Sequence, residues 1–142
     1  MLDSPDFEAL HQGEVLPDIA KSQAIVKKSD HLIFIYPIWW FSQPAILKGW
    51  IDRVFSNGFA YHEDENTFIP YLTGKSATVY ITLGTEKNIL VQNGMEVDHF
   101  MCSMTLGTLE LVGISPVNVI PFYAVSKISN EERKIMLESI VI

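Results

Sequence analysis

Three short apolar runs, each followed by a loop and then a helical pattern, constrain this chain most. The first is Leu32-Ile33-Phe34-Ile35-Tyr36, apolar at every position. A strand with one wet face alternates apolar and polar residues, so an unbroken run predicts burial on both faces, the environment of a parallel sheet. Ala77–Thr82 reads as a second buried strand and Val117–Ile120 as a third strand. Parallel strands need crossover connections, and helices supply them.

Helical signals fill the gaps. A helix is predicted from Pro17 or Asp18 to about Lys28, with an acidic first turn and a basic last turn that suit its dipole. Pro37 stops the first strand, Ile38 to Gln43 form a loop, and Pro44 opens the next helix. There Leu47, Trp50, Ile51, Val54 and Phe55 make one apolar stripe at helical spacing, ended by Asn57-Gly58. Residues 62–75 read as a polar loop and 85–97 as irregular. Asp98 is expected to cap a helix running to about Val112, with Gly113 as its stop. Pro121 ends the third strand. Ser129 and Glu132 are spaced as a capping box for the last helix. The order α-β-α-β-α-β-α predicts an α/β domain over residues 1–142: three core strands in a parallel sheet, with helices on both faces.

The totals narrow the function. At 48% hydrophobic and 19% charged residues the chain is not a disordered polymer. A formal net charge of −7 repels nucleic-acid phosphates, so no nucleic-acid role is expected. Cys102 is the single cysteine, so an intrachain disulfide is impossible; that suits a cytoplasmic protein, with Cys102 as a small buried hydrophobe. Met1-Leu2-Asp3 leads straight into acidic residues, unlike a signal peptide. The longest apolar run, Leu32 to Phe41, is far shorter than the ~20 residues a spanning helix needs. His11, His31, His62 and His99 lack metal-ligand spacing; His31 is expected to end a helix and His62 to sit in the polar loop.

In open α/β sheets ligands bind beyond the carboxyl ends of the strands, and two loops are predicted there. The first carries Trp39, Trp40 and Phe41 directly after a strand. Three aromatics can form an apolar wall for a planar ring, with backbone N–H groups beside it for the ring's polar edge; the competing reading is an apolar plug between helices. The second loop, Thr82-Leu83-Gly84-Thr85, offers hydroxyls and a glycine that permits close approach.

The segment Pro37-Ile38-Trp39-Trp40-Phe41-Ser42-Gln43-Pro44-Ala45-Ile46-Leu47-Lys48-Gly49-Trp50-Ile51-Asp52-Arg53-Val54-Phe55, followed by Gly58-Phe59-Ala60-Tyr61, closely resembles the NAD(P)H:quinone oxidoreductases, the DT-diaphorase-like family with a flavodoxin-like fold. The Thr82–Thr85 loop, the Gly113-Ile114 turn and the Tyr123–Glu132 tail extend the resemblance over nearly the whole chain. It implies a bound flavin, FAD or FMN, two-electron hydride transfer from NAD(P)H to a quinone, and a homodimer. Carried over by position, Pro37, Ile38, Trp39, Trp40 and Phe41 line the flavin ring, while Thr82, Leu83, Gly84 and Thr85 hold its other edge. Tyr61, with Trp40 and Phe41, forms the substrate mouth.

Three departures accompany the resemblance. The family's second loop reads Thr-Thr-Gly-Gly, and Leu83 and Thr85 replace its second and fourth residues. Leu90 and Glu96 stand where better-known members place a tyrosine and a histidine that relay charge. The family's opening βαβ unit, with its flavin-phosphate loop, has no counterpart ahead of Met1, which leaves an N-terminally incomplete fold and an unpaired edge at Leu32–Tyr36 that invites pairing with another chain. These departures keep open a second reading, a non-catalytic or regulatory relative without tight flavin binding. A third, a one-electron carrier, has no use for the Tyr61 mouth.

Overall fold

The computed structural model describes residues 14–140 and sets the three apolar runs side by side. Along the chain follow α1 (Pro17–Lys28), β1 (His31–Pro37), α2 (Ala45–Val54), β2 (Tyr61–Glu63), β3 (Phe68–Pro70), β4 (Ser76–Thr82), α3 (Lys87–Gln92), α4 (Val97–Met101), a π-helix (Thr105–Glu110), β5 (Val117–Phe122) and α5 (Asn130–Glu138). The sheet is parallel with the order β1-β4-β5, so β4 is central. Among the described residues β1 and β5 are the edges of this sheet, and β5 shows how an edge is used. It runs on to Phe122 through Pro121, which faces Ile81 in the register. An edge strand tolerates proline because one row of its N–H groups needs no partner.

The sheet has two unlike faces. Phe34, Tyr36, Ala77, Val79 and Ile81 are buried in the core cluster with Val26, Ile51, Val54, Met104, Leu109 and Ile114. This is the face on which α1, α2 and the π-helix pack. On the other face Tyr80 is buried and stacks on Phe122, with ring centroids 6.1 Å apart. Ile35, in register with Tyr80, is 60% exposed. The expected two-sided burial therefore fails in β1. Among the described residues α5 meets the strands on that face across a shallow apolar recess of about 230 Å³ between Ile35, Thr82 and Phe122 and Met136, Leu137 and Ile140. At the amino end His31 is part of β1 rather than of a helix. Its Nδ1 lies 2.7 Å from Ser76 Oγ and its Nε2 3.0 Å from Thr78 Oγ1.

Polar contacts tie α1 to α2. Gln23 Nε2 donates to the Val54 carbonyl at 3.1 Å, Trp50 Nε1 donates to Ser22 Oγ at 3.3 Å, and Arg53 reaches Asp18 at 2.7 Å. The Arg53 hydrogen bond holds the Asp18 carboxyl below its ordinary pKa.

Other expectations shift. The polar loop over 62–75 contains the antiparallel β2–β3 hairpin, which includes His62. The irregular stretch contains α3. The single helix expected from Asp98 to Val112 is α4 followed by the π-helix, and Glu96 rather than Asp98 occupies the N-cap position of α4. Thr105 Oγ1 donates to the Met101 carbonyl and Thr108 Oγ1 to the Ser103 carbonyl, so hydroxyls compete for the backbone acceptors of that turn. Cys102 is exposed, not buried, and its Sγ donates to the His99 carbonyl at 3.1 Å. His11 and the acidic start lie outside the described residues.

The capping box forms as expected. Ser129 Oγ accepts from the Glu132 N–H at 3.2 Å, and the Ser129 N–H donates back to Glu132 Oε2 at 2.8 Å. That backbone donor holds the Glu132 carboxyl below its ordinary pKa. A depressed carboxyl stabilises most above the unfolded value of about 4.3, and the contribution disappears as pH falls through the lower folded value. Ser129→Ala is expected to speed amide exchange across residues 130–138 by about fivefold near neutral pH. The Oγ bond to the Glu132 N–H does not titrate and the Ser129 N–H bond to the carboxylate survives in alanine, so the difference should persist in acid; a difference that vanished there would assign the effect to the carboxylate instead.

Candidate functional site

Parallel strands deliver their following loops to one edge of the sheet, and here two loops start from the same point. Pro37 is in register with Thr82, and the Ile38 N–H donates to the Thr82 carbonyl at 2.9 Å. The structure thus brings Pro37–Phe41 and Thr82–Thr85 together.

The first loop is a tight turn. Trp39 N–H donates to the Ser42 carbonyl at 2.9 Å and Ser42 N–H to the Trp39 carbonyl at 3.0 Å. The two central residues, Trp40 and Phe41, have φ of 51° and 58°. Positive φ at both centres is the type I′ arrangement, which favours Asn-Gly. For a bulky L-residue each such angle costs about 1–2 kcal/mol. The chain holds two aromatics in this strained form, and strain of this kind clusters where a ligand is clamped. Its effect is to place Trp40 at the tip, 97% exposed, with Trp39 and Phe41 also exposed beside it. The plug reading fails on that exposure. The N–H groups of Trp40 and Phe41 have no partner among the described residues.

The second loop is anchored and open at once. Leu83 is buried, its N–H donates to the Phe122 carbonyl at 2.9 Å, and its own carbonyl accepts from Val125 at 3.1 Å. Leu83 therefore fixes the loop and leaves neither side chain nor backbone to spare. Gly84 and Thr85 keep free N–H groups, and the Thr82 and Thr85 hydroxyls have no partner among the described residues. A Cβ added to Gly84 would meet only Ser126 Oγ, at 3.9 Å. Among the described residues nothing requires a glycine there, whereas a flat group lying on the loop would. Aromatic faces from one loop and unspent donors from the other suit a planar ring with a polar edge, and an isoalloxazine fits that description.

Tyr61 lies apart from the two loops. It stacks on Phe68 with centroids 5.1 Å apart and lines an open groove of about 840 Å³ with Lys48 and Asp52 of α2 and Gly107 and Thr108 of the π-helix. Ser42 and Gln43, next to the aromatic turn, line the same groove, so the turn and Tyr61 share a surface without a ring contact between them. Leu90 is buried in the core. Glu96 lines a separate cavity of about 300 Å³ with Asp98 and Tyr123, whose hydroxyl is pushed up by burial and by the nearby Asp98 charge. Leu90 lines that cavity too, and neither Leu90 nor Glu96 is among the residues lining the groove that the aromatic turn and Tyr61 share.

Two residues at the site carry no signal in the sequence. Phe100 of α4 packs against Phe41, centroids 5.5 Å apart at 58°. Tyr36, just before the first loop, donates its hydroxyl to Met101 Sδ at 3.9 Å, and burial pushes its pKa up to about 12. It therefore stays neutral and acts through packing. Among the described residues no His, Cys, Asp and Glu come together as a metal site, and no helix is long and apolar enough to cross a membrane.

Comparison with known proteins gives the chain relatives. A model of the flavodoxin-like fold family matches residues 1–140. The mouse ribosyldihydronicotinamide dehydrogenase [quinone] is 35% identical over 134 residues, covering 93% of this chain and 58% of the mouse protein. The NAD(P)H:quinone oxidoreductase of Methanothermobacter marburgensis superposes with a TM-score of 0.76 at 27% identity, covering 97% of this chain and 71% of the other. Smu.1420 of Streptococcus mutans UA159 gives a TM-score of 0.74 at 36% identity, over 87% of this chain and 63% of the other. The chain thus spans less than two thirds of the length of the first curated relatives it matches.

Proposed function

The chain belongs to the flavodoxin-like fold family, and from that membership we propose that it is the flavin-holding part of an NAD(P)H:quinone oxidoreductase. The observation that carries this reading is the strained Trp39–Ser42 turn, which exposes Trp40 and Phe41 beside the free donors of Gly84 and Thr85. The names of the relatives support the same activity.

In this reading Trp40 and Phe41 supply an apolar surface for one face of FMN or FAD, and they exclude water from it. The N–H groups of Trp40, Phe41, Gly84 and Thr85 orient the polar edge of the ring, with the Thr82 and Thr85 hydroxyls as further donors. A flavin held there by these residues would supply two-electron redox chemistry between NAD(P)H and a quinone. No side chain of the chain needs to act as a nucleophile. Tyr61 and Phe68 give the groove an aromatic floor suited to a flat quinone, and a second copy laid along that groove would close the mouth as a homodimer. A cytoplasmic location suits both the donor and the exposed Cys102 thiol.

The test is the visible spectrum of the purified chain between roughly 350 and 500 nm with FMN and with FAD. The expected result is a bound-flavin spectrum that NAD(P)H bleaches and a quinone restores. A chain that takes up neither flavin is the regulatory relative instead, keeping the fold and not the cofactor.

A further inference from the structure

We propose that Phe100 is a positioning residue, the strut that holds the Trp40-Phe41 turn in its left-handed form. This deepens the function just proposed and rests on it only for the ligand, not for the strut itself.

The turn has little else to hold it. Its two cross-turn hydrogen bonds, between Trp39 and Ser42, lock the ends. They do not decide the side on which the aromatic tip sits, and Trp40 is almost wholly exposed. Left alone, two bulky residues at φ of 51° and 58° would relax to negative φ. Phe41 is the member of the pair with a partner, and that partner is the Phe100 ring. Phe100 is itself fixed from below: it packs against the core, and its neighbour Met101 is 3% exposed and accepts the Tyr36 hydroxyl. Tyr36 sits on β1 immediately before the loop, so α4 meets this stretch at two points, Met101 under the turn at Tyr36 and Phe100 on the turn at Phe41. The second contact is what a flexible hairpin lacks.

A binding-competent conformation that is only partly populated weakens apparent affinity by its population. Loss of the ring pair is expected to reduce that population, and with it FMN affinity, by about tenfold. The experiment compares wild type with Phe100→Ala, Phe100→Leu and Phe100→Tyr. The first reading needs no flavin: amide exchange at Trp39 and Ser42, with Val79 and Ile81 in β4 as the internal standard. The second is FMN titration. In Phe100→Ala the Trp39 and Ser42 amides are expected to exchange about tenfold faster while those of β4 hold, and FMN binds about tenfold more weakly. Phe100→Leu keeps the apolar volume and should fall between, whereas Phe100→Tyr keeps the ring and restores both. Unchanged exchange at Trp39 and Ser42 in both Phe100→Ala and Phe100→Leu overturns the strut, whatever FMN does. If wild type binds no FMN while the turn still loosens without Phe100, the flavin reading has failed and the strut stands.

Discussion

Replacing Trp40-Phe41 by Asn-Gly is expected to make the protein more stable and unable to hold a flavin. Asn and Gly adopt positive φ at little cost, so the change removes about 1–2 kcal/mol of strain at each position. Loss of the Phe41–Phe100 contact takes back about 0.5–1.5 kcal/mol. The net expectation is a gain of roughly 1–3 kcal/mol, read from the urea midpoint at constant slope. Binding moves the other way. If stacking on an aromatic side chain contributes about 1–3 kcal/mol per ring, as it does for nucleic-acid bases, losing two rings weakens FMN by on the order of 100-fold. A variant that is less stable, or that binds FMN as wild type does, removes the reason for regarding this turn as a ligand clamp. Opposite signs in the two measurements would be the mark of strain kept for function.

Gly113→Ala is expected to be the most damaging small substitution away from the site. Gly113 closes the segment after the π-helix with φ of 96°, beyond the region that asparagine tolerates. A Cβ there would lie 2.9 Å from Thr73 Cγ2, 3.1 Å from the Thr73 nitrogen and 3.2 Å from Pro70 Cβ. The threonine methyl can turn away, but the nitrogen cannot move freely. The adjoining Leu72 N–H is held by the Val112 carbonyl at 3.0 Å, and Ile114 is fully buried. Backbone strain of about 1–2 kcal/mol and overpacking of about 1–3 kcal/mol together predict a loss of roughly 2–5 kcal/mol. Chemical denaturation gives the number. A loss below about 0.5 kcal/mol would mean that the β3–β4 connection yields and that Gly113 is not a fixed point of the fold.

The parts of this architecture legible in the residues were those with a repeating physical signature. Leu32–Tyr36 and Ala77–Thr82 announce strands because they are short, β-rich and mostly apolar, and the Leu47-to-Phe55 stripe announces a helix because its spacing matches one face. Ser129 and Glu132 mark a helix start because each side chain satisfies the other's backbone. What escaped lacked period or length. Phe68-Ile69-Pro70 is too short for alternation to show, and Ile89-Leu90-Val91 in α3 is contiguous where a helical stripe would be interrupted. The π-helix turns on competition between threonine hydroxyls and amides for the same carbonyls, which a residue pattern does not resolve. Cys102 misled because its neighbours are apolar while its own side of the segment faces water. At the site the aromatic loop was visible, but its strain was not, since Trp-Trp-Phe contains no residue that prefers positive φ. Phe100 depends on a contact between segments far apart in the chain.

The register of the sheet has a kinetic consequence. His31 pairs with Ser76 and Ala77 with Val117, so each ladder bond joins residues about forty or more positions apart. The local elements, α1, α2 and the β2–β3 hairpin, can form while these strands are still separate. Every sheet bond must wait for a long loop to close, and chains dominated by such pairings cross their barrier slowly. Refolding should therefore show early helical signal and a later, slower phase as β4 receives its two neighbours. The aromatic turn comes to lie beside the Thr82 loop only once Ile38 bonds to Thr82, so that juxtaposition belongs to the last phase: the site is assembled when the chain has finished everything else.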